Sequence, residues 1–298
     1  MKHSAVCNMS EQDTFVEKTI MDVSHQSLEL HELDLLLEAL YRFCDYDLRQ
    51  YGRRSLMRLI QNILAEYGLH HVSDLIPMVA HDMSFRRTVI DRLTVSYSVM
   101  YRDPELFKRL RDDVFLYLQS FPRLSVWVAG CADGEEVYSL AILLAEAGLL
   151  ERTQLYATDI SPKALENARS GILQRPLDDD VIQRYQASGG TDDLKRYFSS
   201  FNGQLQIDSD ILQRIAFEKH DLVQQPSHVS AHLILCRNVF IYFDHRLKNK
   251  VLAKLGDALM VNGFLAIGVE ESISLCEDYG RFDILSRKAG LYRKKLGY

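Results

Sequence analysis

Between Val126 and Ala141 the sequence reads VWVAGCADGEEVYSLA, an apolar, β-branched run that stops at Gly130 and passes through a polar turn into a helical stretch. Gly130 and Gly134 lack a Cβ, so the backbone there can turn tightly and come close to a ligand. A dinucleotide site would show G-x-G-x-x-G at this point, seating a pyrophosphate on the helix N-terminus. That spacing is absent, and Asp133, Glu135 and Glu136 stand at the mouth of the helix instead. These acids would repel a phosphate and attract an ammonium or sulfonium group. They would equally complement the helix dipole with no ligand at all.

Two further acids follow apolar runs. Asp159 ends QLYATD, where an acid in a doubly wound fold can accept both ribose hydroxyls or simply cap the next helix. Asp221, in KHDL after RIAFEK, would reach an adenine amino group or remain an exposed loop acid. Ligands of open α/β sheets bind outside the carboxyl ends of the strands, so acids at three such ends converge on one crevice.

The elements that must hold these residues are legible from periodicity. LSVWVAG and QLYATD read as strands, each followed by a helix; in SPKALENARSG, Ser161 suits the N-cap and Pro162 the first turn. Further strands are expected at RIAFEKHD, AHLILCR, NGFLAIGV and LYRKK, giving a mainly parallel sheet covered on both faces. Residues 171 to about 214 break the alternation with two polar helical stretches, DDDVIQRYQ and TDDLKRYFSSF, and the strand-like QLQIDSDI. This reads as an insertion.

Ahead of the sheet, Leu33, Leu36, Leu37 and Leu40, then Leu56, Leu59, Ile60 and Ile63, then Val72, Leu75 and Ile76 recur at helical spacing, punctuated by Gly52 and Gly68. The expected organisation is a disordered polar tail over 1–27, a small all-helical domain over 28–95, and an α/β domain over 96–298 carrying the insertion. Arg49 and Arg53, like Arg54 and Arg58, would stand one turn apart on a helix.

The chain has 298 residues, 47% of them hydrophobic, with a formal net charge of -6, which speaks against a nucleic-acid binder and its basic face. Five scattered cysteines without C-x-x-C suggest neither a disulfide framework nor a metal site. No apolar run approaches the roughly 18 residues of a membrane span, and a cytoplasmic protein is expected.

Four ordered segments carry a resemblance. AGCADGEEVYSLAILL resembles the first cofactor motif of the chemotaxis-receptor glutamate O-methyltransferases, ATDISPKALENARSGI their second, and LILCRNVFIYFD their R-N-V-x-I-Y-F signature. SVMYRDPELF resembles their T-x-F-F-R-D segment, and FCDYDLRQYGRRSLMRLI matches their N-terminal domain in pattern, so that residues 28 to about 295 are covered. The resemblance implies a Rossmann-like sheet domain that binds S-adenosylmethionine, preceded by a small all-helical domain. Its acceptor would be a glutamate carboxylate in the cytoplasmic domain of a methyl-accepting chemotaxis receptor.

It also implies roles. Glu135 would meet the methionyl amino group, Asp159 the ribose, Asp221 and Leu222 the adenine edge, and Asn238 the methionyl part, with Gly130 in the cofactor turn. Arg102 would lie beside the cofactor near the methyl group and Tyr242 on the acceptor side; Arg53, Arg54 and Arg58 would form a positive docking face for acidic receptor helices. Ser96 and Ser98 stand where the family has Asn and Thr, Asp133 where it has a hydroxyl residue, and Asp221 where many members have Asn. These departures leave a non-catalytic cofactor sensor as the alternative. Many relatives grip a receptor tail through an inserted β-subdomain; the more helical reading of 171–214 argues against that here.

Overall fold

The computed structural model describes residues 11–44, 46–94, 97–227 and 229–297. The chain divides into two units, Met1–Leu93 and Thr94–Tyr298.

The first unit contains α1 (Glu11–Cys44), α2 (Arg53–Tyr67), α3 (Leu75–His81) and α4 (Met83–Leu93). Leu33, Leu36, Leu37 and Leu40 of α1 are fully buried against Leu56 and Ile60 of α2, Leu75 and Val79 of α3, and Val89 of α4. Each such side chain contributes about 1.5–3 kcal/mol by leaving water. Gly68 closes α2 in the left-handed region at φ 65°, its amide donating to Ala65 O at 3.4 Å. Asp82 opens α4 by accepting from the amides of Ser84 and Phe85. The backbone of residues 11–27, expected as part of a disordered tail, is helical within α1, and residues 1–10 lie outside the described residues. No Gly or Pro occurs before Gly52, so nothing in the chain interrupts the helix N-terminal to its leucine-rich part.

The second unit runs through α5 (Pro104–Arg109), α6 (Phe115–Leu118), β1 (Leu124–Ala129), α7 (Glu135–Glu146), β2 (Thr153–Asp159), α8 (Pro162–Ser170), α9 (Asp179–Ala187), β3 (Phe198–Phe201) and β4 (Gln204–Ile207). It continues with α10 (Ser209–Leu212), β5 (Ile215–Lys219), β6 (Ala231–Cys236), α11 (His245–Ala258), β7 (Leu259–Ile267), β8 (Phe282–Ser286) and β9 (Leu291–Lys294). Seven strands form one sheet in the order β5-β2-β1-β6-β7-β9-β8. The first five are parallel, with Val126 of β1 opposite Leu155 on one side and Leu233 on the other. The order reverses between β1 and β6, which opens a crevice at their carboxyl ends. Beyond β7 the sheet turns antiparallel.

Two elements differ from the sequence reading. Strand β8, FDILS, was not anticipated; it is an edge strand with only its first residue buried, and so lacks a clear apolar signal. In the insertion, α9 forms as expected, its first turn capped by Asp178, which accepts from Val181 N at 2.9 Å. TDDLKRYFSSF, however, yields only the short 3-10 turn Leu194–Tyr197 before entering β3. Strands β3 and β4 make an antiparallel hairpin across Asn202 and Gly203, at φ 50° and 78°. A two-residue hairpin turn needs positive φ at both central positions, and Asn-Gly supplies it.

Candidate functional site

The loop after β1 is held from β2: the amides of Gly130 and Cys131 both donate to Thr158 O, at 2.8 and 2.9 Å. Gly130 and Gly134 have φ 82° and 100°. A Cβ on Gly130 would also lie 2.5 Å from Val239 Cγ2, and one on Gly134 2.6 Å from the Tyr138 ring. Packing against the loop that follows β6, rather than ligand approach alone, therefore demands a glycine at 130. Asp133 is engaged by Asn167 of α8, whose amide donates at 3.0 Å.

Asp159, at the end of β2, is 8% exposed. Its carboxylate accepts from Ala132 N and Ser161 N, each at 2.9 Å, and so ties the β1 loop to the start of α8. The helix cap is Ser161, which accepts from Ala164 N at 3.2 Å. Burial pushes the Asp159 carboxyl above its ordinary pKa, against the pull of these amides. The Ile160 amide pulls on this carboxylate as well, and with about four lone-pair sites it keeps acceptor capacity beyond these amides.

Glu135, the first residue of α7, is 2% exposed. Ser98 bridges it: the hydroxyl donates to Oε2, and the Glu135 amide donates back to Ser98 Oγ at 3.2 Å. Oε1 is buried with no hydrogen-bond partner. Burial raises the pKa of this acid. A buried, half-satisfied carboxylate is costly by itself and fits an incoming cation, such as the amino group of a methionyl chain. Ser96 lies outside the described residues.

Arg102 is half-buried. Its guanidinium has no ion pair or hydrogen bond among the described residues, while its backbone is fixed: Arg237 Nη2 donates to Arg102 O at 3.0 Å. Arg237, with a fully buried side chain, also pairs with Asp103 and Glu136, each at 2.5 Å. On either side of Arg102, Tyr101 and Asp103 take positive φ, 54° and 57°. Asn238, next to Arg237, is likewise left-handed at φ 59°, its amide donating to Glu271 Oε2 at 2.9 Å. Glu271 accepts as well from Gly268 N at 2.6 Å and Ile241 N at 3.1 Å. Tyr242 ends the 3-10 turn Phe240–Tyr242 and is half-buried.

At the end of β5, Asp221 is turned into its own loop, accepting from Val223 N at 2.8 Å and Gln224 N at 3.0 Å. The carbonyl of Leu222 accepts from Lys254 Nζ at 3.1 Å. The preceding amide, His220 N, donates to Asp159 O at 3.0 Å, joining this loop to the β2 end. Gly130, Glu135, Asp159, Asp221, Leu222 and Asn238 thus follow the carboxyl ends of β1, β2, β5 and β6.

Residues 97–290 match the family described as CheR methyltransferase, SAM binding domain, and residues 31–94 match CheR methyltransferase, all-alpha domain. The chain belongs to the CheR methyltransferase family. A Pseudomonas putida protein assigned the name methyltransferase Cher3 is 37% identical over 88% of this chain and 96% of its own length. Chemotaxis protein methyltransferase 1 of Vibrio cholerae is 27% identical over 83% and 90%. A 104.1 kDa Rhodobacter capsulatus protein is 28% identical over 87% of this chain, which spans 26% of that longer protein. S-adenosylmethionine is the cofactor of the family's sheet domain, and the orphaned Glu135 oxygen and the part-filled Asp159 carboxylate fit it.

Sequence reasoning had passed over two residues that organise this family site. Arg237 stood inside the R-N-V signature, and Glu271 lay in the segment after β7 with no motif around it. In the all-alpha domain, Arg49 precedes α2 and is held by Glu38 at 3.0 Å and Asp47 at 2.9 Å, so Arg49 and Arg53 do not share a helical face. Arg53 pairs with Asp34 at 2.7 Å. Arg54 and Arg58 are exposed on α2, one turn apart, with no ion pair among the described residues. No described helix is long and apolar enough to cross a membrane.

Proposed function

We propose that this protein, working in the cytoplasm, methylates glutamate side chains in the cytoplasmic domain of a chemoreceptor, forming methyl esters. The observation that carries this reading is the state of Arg102: a clamped backbone with a guanidinium that no described acid neutralises. Such a group suits an acceptor carboxylate.

When bound, S-adenosylmethionine supplies an electrophilic methyl on a sulfonium. The acceptor needs no general base, because a glutamate with a pKa of about 4.3 is already ionised at neutral pH. The residues of this chain act by placement. Arg102 orients the carboxylate, Tyr242 bounds the acceptor side, and Glu135, Asp159, Asp221 and Asn238 hold the nucleoside and methionyl ends. Enforced alignment of this kind supplies roughly 7–11 kcal/mol of rate acceleration. The experiment is transfer of tritiated methyl from the cofactor to receptor cytoplasmic fragments, followed by mild base. Volatile methanol identifies an ester; base-stable label assigns another acceptor, and binding without transfer assigns a sensor.

A further inference from the structure

A cavity of about 80 Å³ opens beside Glu135, bounded by Val99 and Met100 on one side and by Leu173, Arg175, Val181 and Arg184 of the insertion on the other. Its charged lining has two signs, Glu135 and Asp178 against Arg175 and Arg184, with Asp178 occupied as the cap of α9 by accepting from Val181 N. Glu135 brings a buried carboxylate oxygen without a partner. Arg175 brings an exposed guanidinium at the rim, stacked 3.9 Å from the centre of the Tyr97 ring and donating through Nη1 to the carbonyl of Ser98. The acid and the arginine are close enough for the charge on Arg175 to pull the Glu135 pKa down, yet they form no ion pair with each other. Arg175 meets no carboxylate among the described residues, whereas Arg184 is already paired with Asp180 at 3.1 Å. Arg102 does not line this cavity.

A carboxylate oxygen without a partner and an arginine without a carboxylate, facing one small space without touching, fit a ligand that carries an ammonium and a carboxylate on one carbon. We propose that this cavity is a clasp for a zwitterionic α-amino-acid group, the methionyl end of the cofactor, with Glu135 taking the ammonium and Arg175 the carboxylate. This rests on the cofactor placement given under Proposed function and adds to it a residue from the insertion, outside every segment used to assign the cofactor. Arg175 also explains how a chain with serines at 96 and 98 retains a polar partner for that end: the insertion reaches over Tyr97 and Ser98 and supplies a cation. A planar guanidinium suits this task, because its remaining N–H groups can take a carboxylate two-pronged while one holds the Ser98 carbonyl.

The test is titration calorimetry on the full chain with three probes: S-adenosylhomocysteine, its decarboxylated counterpart S-adenosyl-3-thiopropylamine, and 5′-methylthioadenosine, which lacks both charges. The parent is expected to bind S-adenosylhomocysteine roughly ten- to a hundredfold more tightly than the amine analogue, the range of a hydrogen-bonded charge. Arg175→Met is expected to erase that gap while leaving the amine analogue and methylthioadenosine within about twofold of the parent. Arg184→Met is expected to change little. Equal affinity of the parent for the first two probes overturns the clasp. So does an Arg175→Met variant that weakens both alike, which would make Arg175 a brace for Ser98, or a larger loss from Arg184→Met. Absence of heat with all three probes overturns the cofactor placement together with the clasp, and so separates the two failures.

Discussion

Arg237 Nη2 donates to the backbone carbonyl of Arg102 at 3.0 Å, so the residue assigned to the acceptor hangs from a guanidinium that never reaches water. The same guanidinium neutralises Asp103 and Glu136, tying the segment after Ser98, the first turn of α7 and the end of β6 into one unit. Tyr101 and Asp103, on either side of Arg102, have a left-handed backbone, which non-glycine residues adopt only when their surroundings enforce it. Arg237→Met would leave two carboxylates facing an empty place. Breaking a buried pair by removing one partner typically costs about 3–5 kcal/mol, and the partial exposure of Asp103 and Glu136 puts the expectation at the lower end. Urea unfolding reads this directly. Arg237→Lys, which keeps the charge but not the fork, is expected to lose methyl transfer through kcat far more than affinity for S-adenosylhomocysteine. A variant with parental kcat would show that Arg102 needs no such support.

Asp159 makes a separate case, because its oxygens brace the β1 loop through Ala132 and start α8 through Ser161. Asp159→Ala would strand the amides it serves, those of Ala132 and Ser161 and also Ile160, each worth about 1–3 kcal/mol if left buried and unmet. The expected result is a lower melting temperature without ligand and a weakening of S-adenosylhomocysteine binding by roughly 1–3 kcal/mol beyond it. If ligand affinity survives while stability falls, Asp159 is a loop brace alone.

The helical unit and the parallel half of the sheet were legible because burial imposes a period: Leu33, Leu36, Leu37 and Leu40 are fully buried, and β6 is buried along its whole length. Where burial is one-sided or local geometry decides, the pattern weakens. β8 buries one residue in five, and the β3–β4 hairpin was written in two residues, Asn202 and Gly203, whose turn chemistry was overlooked beside a stretch of helix-forming side chains. The acids of the crevice could be found because strand ends are visible in sequence. Arg237 and Glu271 could not be given their tasks, since those tasks are bonds to backbone groups far along the chain: Arg237 to Arg102, and Glu271 to Asn238 and Ile241.

Glu135 gives the site a pH signature. Burial raises its folded-state pKa above the unfolded value, with Asp133 adding to the rise and Ser98 and Arg175 opposing it. The unliganded folded state therefore holds this proton more tightly than the unfolded chain. The resulting stability is fully present below the unfolded carboxylate pKa of about 4.3 and is lost as pH rises through the folded value. An ammonium ligand requires the ionised form, so affinity for S-adenosylhomocysteine is expected to strengthen with pH across that same window and then level off. Asp159 and Glu271 are raised by burial too and persist in a Glu135→Gln variant, so the difference between parent and variant isolates Glu135. The variant is expected to bind more weakly and to lose this part of the pH dependence; parallel profiles would remove Glu135 from the ammonium site.

The docking face is narrower than the sequence suggested, and the difference is testable. Arg53 is partly neutralised by Asp34 at 2.7 Å, leaving Arg54 and Arg58 as the exposed positive pair on α2. Reversing these two to Glu places negative charge where an acidic receptor helix would approach, and repulsion of that kind acts chiefly on encounter. Methylation of a receptor fragment at low salt is expected to fall on the order of tenfold in kcat/KM, while S-adenosylhomocysteine affinity stays at the parental value. Adding Arg53→Glu is expected to contribute little more, since an exposed ion pair is worth about 0–1 kcal/mol. The double reversal touches no packed group, so its stability is expected to move by about 0.5 kcal/mol or less, whereas Arg53, with a buried Nη1 and Asp34 beside it, is expected to cost more when reversed. Exposed charges are screened over roughly 8–10 Å at ordinary ionic strength, so the rates of parent and double variant are expected to converge as salt rises. Equal rates at low salt would show that receptor helices do not meet this face of α2, and a loss that persists undiminished at high salt would assign the two arginines to direct contact instead of steering.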